Sequence, residues 1–122
     1  MSFIFHITSS DAWAAASQAG VYRTDSLDSE GFIHCSTSDQ LLTVANRFYQ
    51  GQHGLVLLCI NPDTLQADLR FEAAADPVDG VPPNFPHIYG PINVDAVLKA
   101  VKFEPGPDGR FTVPGRTVRF PT

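Results

Sequence analysis

Leu55-Val56-Leu57-Leu58-Cys59-Ile60 is the longest apolar run in the chain, and its reading decides the fold. Six residues are far too few to cross a bilayer. An unbroken apolar hexamer closed by Asn61-Pro62-Asp63 reads as a strand covered on both faces. Upstream, Leu41, Leu42, Ala45, Phe48 and Tyr49 recur at helical spacing, and Gly51 stops them. Thr37 followed by Gln40 forms a capping box that predicts a helix start at Ser36 or Thr37. Before it, Phe32–Cys35 reads as a short strand and residues 21–31 as a polar loop. Asp11–Ala19 predicts a helix with Ser9 or Ser10 as cap and Gly20 as stop. Phe3–Thr8 alternates, with Phe3, Phe5 and Ile7 on one face and Ile4, His6 and Thr8 on the other.

Downstream, Asp68–Ala73 alternates again, with Leu69 and Phe71 predicted inward and Arg70 and Glu72 on the opposite face. Residues 76–91 hold Pro77, Pro82, Pro83, Pro86 and Pro91, which predict a long, proline-stiffened loop. Residues 95–104 become strand-like toward their end, and Pro107-Asp108-Gly109 predicts a turn into a closing hairpin through Phe111 and Val118. Strand and helix alternate twice and strands then dominate, so the expected fold class is α+β, a single domain over residues 1–122.

The bulk properties narrow the function. At 122 residues with 43% apolar content, the chain has room for one core, burying roughly 65% of its unfolded surface. Its formal charge of −5 and eight Lys and Arg residues leave no basic stripe for a phosphate backbone, so no nucleic-acid partner is expected. Arg110, Arg116 and Arg119 read as the solvated face of the terminal hairpin. The start lacks a basic region followed by an apolar stretch, so neither a signal peptide nor a membrane partner is expected. Cys35 and Cys59 both fall in strand-like segments; a disulfide between them is conceivable, but reduced core thiols of a cytoplasmic protein are the expected state. The expected partner is a small-molecule ligand; the oligomeric state is not legible.

Three patterns place a histidine two residues before a hydroxyl: His6-Ile-Thr8, His34-Cys-Ser36 and His87-Ile-Tyr89. On a strand such residues share a face about 6.6 Å apart and can meet one ligand. A neutral imidazole offers one donor and one acceptor, suited to ribose hydroxyls or proton movement. The plainer alternative is a half-buried strand histidine satisfied by backbone. His53, between Gly51 and Gly54, reads as solvent-exposed. Glu72 is either a surface ion-pair partner of Arg70 or the carboxylate of a site. Phe85 and Tyr89 flank His87 and can wall a pocket for a flat ring; the alternative is a rigid lid over the core edge. Walker A, GxGxxG and GxSxG motifs are absent. Three histidines and a glutamate without tight spacing make metal binding a weak hypothesis, and no metal is expected.

Gly-Phe-Ile-His-Cys-Ser-Thr at 31–37, Val-Ala-Asn-Arg-Phe-Tyr-Gln-Gly at 44–51, Leu-Val-Leu-Leu at 55–58, Leu-Arg-Phe-Glu at 69–72 and Phe-Pro-His-Ile-Tyr-Gly-Pro at 85–91 together resemble a small bacterial family, the domain of unknown function 952. The resemblance runs in order from about Phe3 to Val101. It implies a fold similar to ADP-ribosyltransferases, with two small, mostly antiparallel sheets and two main helices around an NAD-binding cleft. In that likeness His6 matches a first-strand position, Ser36 or His34 a second-strand position, and Glu72 a later-strand carboxylate.

Two enzymatic readings and one non-enzymatic reading follow. In the first, NAD is a substrate for ADP-ribosyl transfer or glycohydrolysis, with Glu72 stabilising an oxocarbenium-like ribose. His34 and Ser36 then position the substrate, His6 and Thr8 hold ribose or nicotinamide, and Phe85, His87 and Tyr89 enclose the ring. In the second, His6-x-Thr8 and His34-x-Ser36 are the paired motifs of a two-histidine phosphoesterase acting on cyclic nucleotides. In the third, the domain binds a metabolite without catalysis.

Overall fold

The apolar hexamer is β4 (Leu55–Ile60), the middle strand of a three-stranded antiparallel sheet, and all six of its residues are buried. β1 (Ile4–Ser9) pairs on one side of it, His6 opposite Leu58, and β8 (Val97–Lys102) on the other. The computed structural model describes residues 2–113. Alternation along these strands splits the core in two. Ile4, Val56, Leu58 and Ile60 pack with Ala16, Ile33, Ile88 and Ile92 on one face. On the other, Phe5, Ile7, Leu55 and Leu57 pack with Leu41, Ala45 and Phe103. A strand covered on both faces must be apolar throughout, which is why the hexamer reads so clearly.

α1 (Ser10–Ala19) starts where the Ser9 hydroxyl accepts the Ala12 N–H at 3.0 Å, and ends at Gly20 with φ of 86°, whose N–H returns to Ala16. A left-handed cap of this kind favours glycine. α3 (Leu41–Phe48) covers the second core face. It begins later than the capping box predicts, residues 37–40 forming a turn. Half of the box is present: Gln40 Oε1 accepts the Thr37 N–H at 2.9 Å. The fully buried Gln40 amide also donates to the carbonyls of Pro82 and Asn84, at 2.9 and 2.8 Å. Gln40 therefore ties the helix entry to a distant segment.

That segment corrects the sequence reading. Asn84–Tyr89 is a strand, β6, the centre of a second antiparallel sheet with β3 (Ile33–His34) on one side and β5 (Asp68–Ala73) on the other. The prolines of 76–91 argued for a loop, yet β6 contains Pro86. The Pro86 carbonyl accepts the Cys35 N–H at 3.0 Å. A strand residue's N–H and carbonyl point the same way, so the donor that proline lacks faces the end of β3, leaving the β5 ladder intact. Residues 21–31, read as a loop, contain β2 (Val21–Tyr22) and the single-turn α2 (Ser26–Ser29). β2 pairs with β7 (Ile92–Asn93) in a third, two-stranded sheet. The expected α+β class holds, with three small antiparallel sheets rather than two.

Two further expectations are corrected or limited. Phe71 shares a face with Leu69 but runs past the edge of the core and is 53% exposed. The turn at 107–109 forms, with Gly109 at φ of 80° and its N–H on Gly106, and Phe111 stacks on Phe103. The returning arm through Val118 lies outside the described residues. Cys35 and Cys59 are buried and free, in opposite halves of the core. Among the described residues, no helix is long and apolar enough to cross a membrane. Truncating the fully buried Leu57 of β4 leaves a cavity between β1 and β8. Leu57→Ala is expected to cost about 2–5 kcal/mol in urea unfolding, with an unchanged m-value.

Candidate functional site

β3 and β6 pair so that His34 lies opposite His87. The Cys35 to Pro86 bond on the next pair makes this a non-hydrogen-bonded pair, where side chains come closest. The two imidazole centroids are 5.7 Å apart, edge to face. Phe32, two residues before His34 and on the same face, stacks on the His87 ring at 3.9 Å and 20°. From β5, Glu72 Oε1 accepts from His87 Nδ1 at 2.9 Å and from the Tyr89 hydroxyl at 2.5 Å. His34 Nε2 meets Glu30 Oε2 at 2.9 Å.

A carboxylate only accepts, so each imidazole turns an N–H toward its glutamate. In the neutral rings this leaves His34 Nδ1 and His87 Nε2 as acceptors. The Tyr89 hydroxyl first, and His87 second, hold the Glu72 carboxyl below its ordinary value, and the same bond raises Tyr89. Glu72 is therefore ionised at neutral pH, and both bonds fall on one of its oxygens. Arg70, the ion-pair partner in one of the two sequence readings of Glu72, pairs with Asp68 at 3.5 Å and lies 4.6 Å over the Tyr89 ring.

His6 sits behind this layer. Its Nδ1 is 2.6 Å from the His34 carbonyl and its Nε2 is 2.8 Å from the Tyr22 hydroxyl, which is itself 2.8 Å from Thr8 Oγ1. The carbonyl fixes a proton on Nδ1; the Tyr22 hydroxyl stands against Nε2 and donates to Thr8 Oγ1. Burial lowers the His6 pKa to about 4 and raises that of Tyr22 to about 12. Both ring nitrogens of His6 are occupied by the protein, which holds the His34 backbone in place.

Two adjoining clefts share His34, His87 and Glu30. The larger, about 510 Å³, is also lined by Ser36, Phe48, Asp76 and Phe85 and reaches the edge of His6. The smaller, about 320 Å³, is lined by Phe32, Glu72 and Ala73–Ala75. Of the residues singled out in the sequence, His34, His87, Glu72 and Tyr89 form one connected cluster. Ser36 and Phe85 line the larger cleft, and Ser36 exchanges two backbone bonds of 2.8 Å with Phe5. Thr8 lines neither cleft and is bound to Tyr22. Phe85 and Tyr89 stand four residues apart on β6, about 13 Å along a strand, with His87 between them, so they do not form opposite walls of one slot. His53 is exposed and pairs with Glu104 at 2.9 Å. Among the described residues no three His, Cys, Asp or Glu side chains converge as a metal-binding group.

A family model described as "Protein of unknown function (DUF952)" matches residues 7–100. The chain belongs to this family. The DUF952 match takes in every cluster residue and leaves His6 one position outside its start. Among solved structures, the crystal structure of protein CC0527 from Caulobacter crescentus is 32% identical, with a TM-score of 0.77 over 90% of this chain and 93% of that one. The solution structure of the same protein gives 0.73 at 32% identity, over 88% and 90%. No curated protein matches.

Sequence reasoning missed Glu30, Phe32, Tyr22 and Asp76 as parts of this DUF952 site. Phe32 was legible in principle, being two residues before His34 on one strand face. Tyr22 carried no signal, because a two-residue strand has no period to detect. The buried network gives a pH dependence with a definite sign. His6 binds a proton at an ordinary 6.5 when unfolded but only near 4 when folded, so its neutral form stabilises the fold. That contribution is complete above pH 6.5 and lost as pH falls to 4, on the order of 3 kcal/mol. Urea midpoints measured across this window are expected to fall for the wild type, and His6→Gln to flatten that part of the curve.

Proposed function

We propose that this DUF952 protein cleaves the bond between ribose and a pyridinium-type base in a ligand of the NAD class. The observation that carries the reading is Glu72: an ionised carboxylate, anchored through one oxygen by Tyr89 and His87, lining a cleft beside two imidazoles and an aromatic ring. Heterolysis of the C1′–N bond sends both electrons to the ring nitrogen, so nicotinamide departs neutral. The ribose left behind is oxocarbenium-like, and a fixed carboxylate stabilises that charge as it develops. Water, or an acceptor nucleophile in the transferase version, then bonds to C1′ and gives up a proton. His34 Nδ1 is the acceptor for that proton, with Glu30 orienting the ring through Nε2.

The ADP-ribosyltransferase-like fold that the sequence resemblance implies would agree with this reading, with Glu72 in the role of the later-strand carboxylate. His6 and Thr8, assigned to ligand binding from sequence, fit better as positioning residues, since both are bound to Tyr22 and His6 also to the His34 carbonyl. This also weakens the two-histidine phosphoesterase, which needs the His6 ring exposed to a phosphate.

Nicotinamide release from a set of its ribosides, with and without phosphate, is the test. Glu72→Gln is expected to lower the rate about 10²–10³-fold, and His34→Ala to reduce it with a changed pH profile. Ligand-induced thermal stabilisation without any product over long incubation would leave a non-catalytic binding module. Hydrolysis of 2′,3′-cyclic nucleotides that survives Glu72→Gln and disappears in His34→Ala would establish the phosphoesterase instead.

A further inference from the structure

The two clefts have a charge pattern that bears on which ligand of that class they take. Glu30 lines both, Glu72 the smaller and Asp76 the larger. Among the described lining residues there is no lysine or arginine. Among the described residues, the guanidinium groups of Arg47 and Arg70 each have partners. Arg47 sits beside Asp76, at 3.4 Å, donates to the Pro77 carbonyl at 3.2 Å and lies 5.1 Å over the Phe48 ring. Arg70 pairs with Asp68 and covers Tyr89. Among the described residues, no helix of eight residues or more opens its N-terminus into the cleft lining either, since α1 starts beside Gly54 and α3 contributes Val44 and Phe48.

A dinucleotide site ordinarily needs something to receive its pyrophosphate: an arginine or lysine, or a row of backbone N–H groups. These walls hold three carboxylates in that place, Asp76 with Arg47 beside it at 3.4 Å and Glu30 and Glu72 bonded to histidines. An anionic phosphate entering them meets carboxylates whose side chains are 36–74% exposed, a repulsion that salt screens. The same walls favour a cation. A pyridinium ring set beside Phe32 and the stacked His87 ring has an aromatic surface on one side and Glu72 and Glu30 within the same cleft.

Resting on the reading of Glu72 as the carboxylate for N-ribosyl cleavage, we infer that the substrate is an unphosphorylated cationic nucleoside, an N-ribosyl pyridinium such as nicotinamide riboside, rather than a dinucleotide. The reaction balances without a further reagent. The C1′–N bond breaks with its electron pair on nitrogen, water supplies the new C1′–O bond, and one proton is released by way of His34.

The test compares kcat/KM for nicotinamide riboside, its 5′-monophosphate and NAD with the full chain at low and high salt. The riboside is expected to exceed both phosphorylated ligands at least about tenfold at low ionic strength, a difference of about 1.4 kcal/mol. The gap should narrow as salt rises. Asp76→Asn removes one wall charge and releases Arg47, and is expected to narrow the gap by raising the phosphorylated ligands several-fold. NAD turned over as well as or better than the riboside, with both lost in Glu72→Gln, would overturn this inference and leave the cleavage reading standing. Release from none of the three would overturn both.

Discussion

Two backbone hydrogen bonds between Phe5 and Ser36, each 2.8 Å, hold the molecule's working parts in one frame. They are the bridge between β1, on the edge of the sheet built around β4, and the chain leaving β3. One residue before Ser36, Cys35 still bonds to Pro86 in the other sheet. The His6 imidazole spans the same junction from within, reaching the His34 carbonyl from β1. His34 is thus fixed by three neighbours that belong to both sheets, and its side chain projects into the space where the sheets diverge.

Local chemistry then follows from what each sheet contributes. β5 and β6 bring Glu72 and His87 together because diagonal neighbours across an antiparallel pair remain within reach of each other, and the long Tyr89 side chain reaches Glu72 from the same face. Exposure grades the cluster: His87 is buried, Glu72 half-buried and His34 exposed. The buried His6 answers a different requirement. Its neutral form fills the hydrogen-bonding needs of a carbonyl and a phenol in the interior, a role that charge would defeat.

The legibility of the sequence tracked the strength of its periodicity. β1, β4, β5 and α1 were readable because alternation, full coverage or clear caps left one interpretation. β6 was hidden by its prolines, since only the direction of the missing N–H tells a tolerated strand proline from a loop proline. The two-residue strands β2 and β3 were too short for their partners to be inferred. At the site, His34, Glu72, His87 and Tyr89 were legible as residues of the right kind on strand faces. Their pairing depended on register, which a single sequence does not state. Glu30 stayed hidden for the same reason: its bond to His34 spans a turn around Gly31, where strand and helix spacing both fail. Phe71 was misplaced because alternation gives a face, not how far the core extends beneath it.

Pro86 has a consequence beyond its own strand. Without a donor there, Cys35 and Pro86 keep only one of the two bonds such a pair can make. Ser36 turns its backbone groups to the opposite side, where Phe5 of β1 takes them. One step further the Gln40 amide stands between the strands, accepting from Thr37 and donating to Asn84. β3 and β6 thus part by degrees: a paired residue, a half-bonded one, then a borrowed amide.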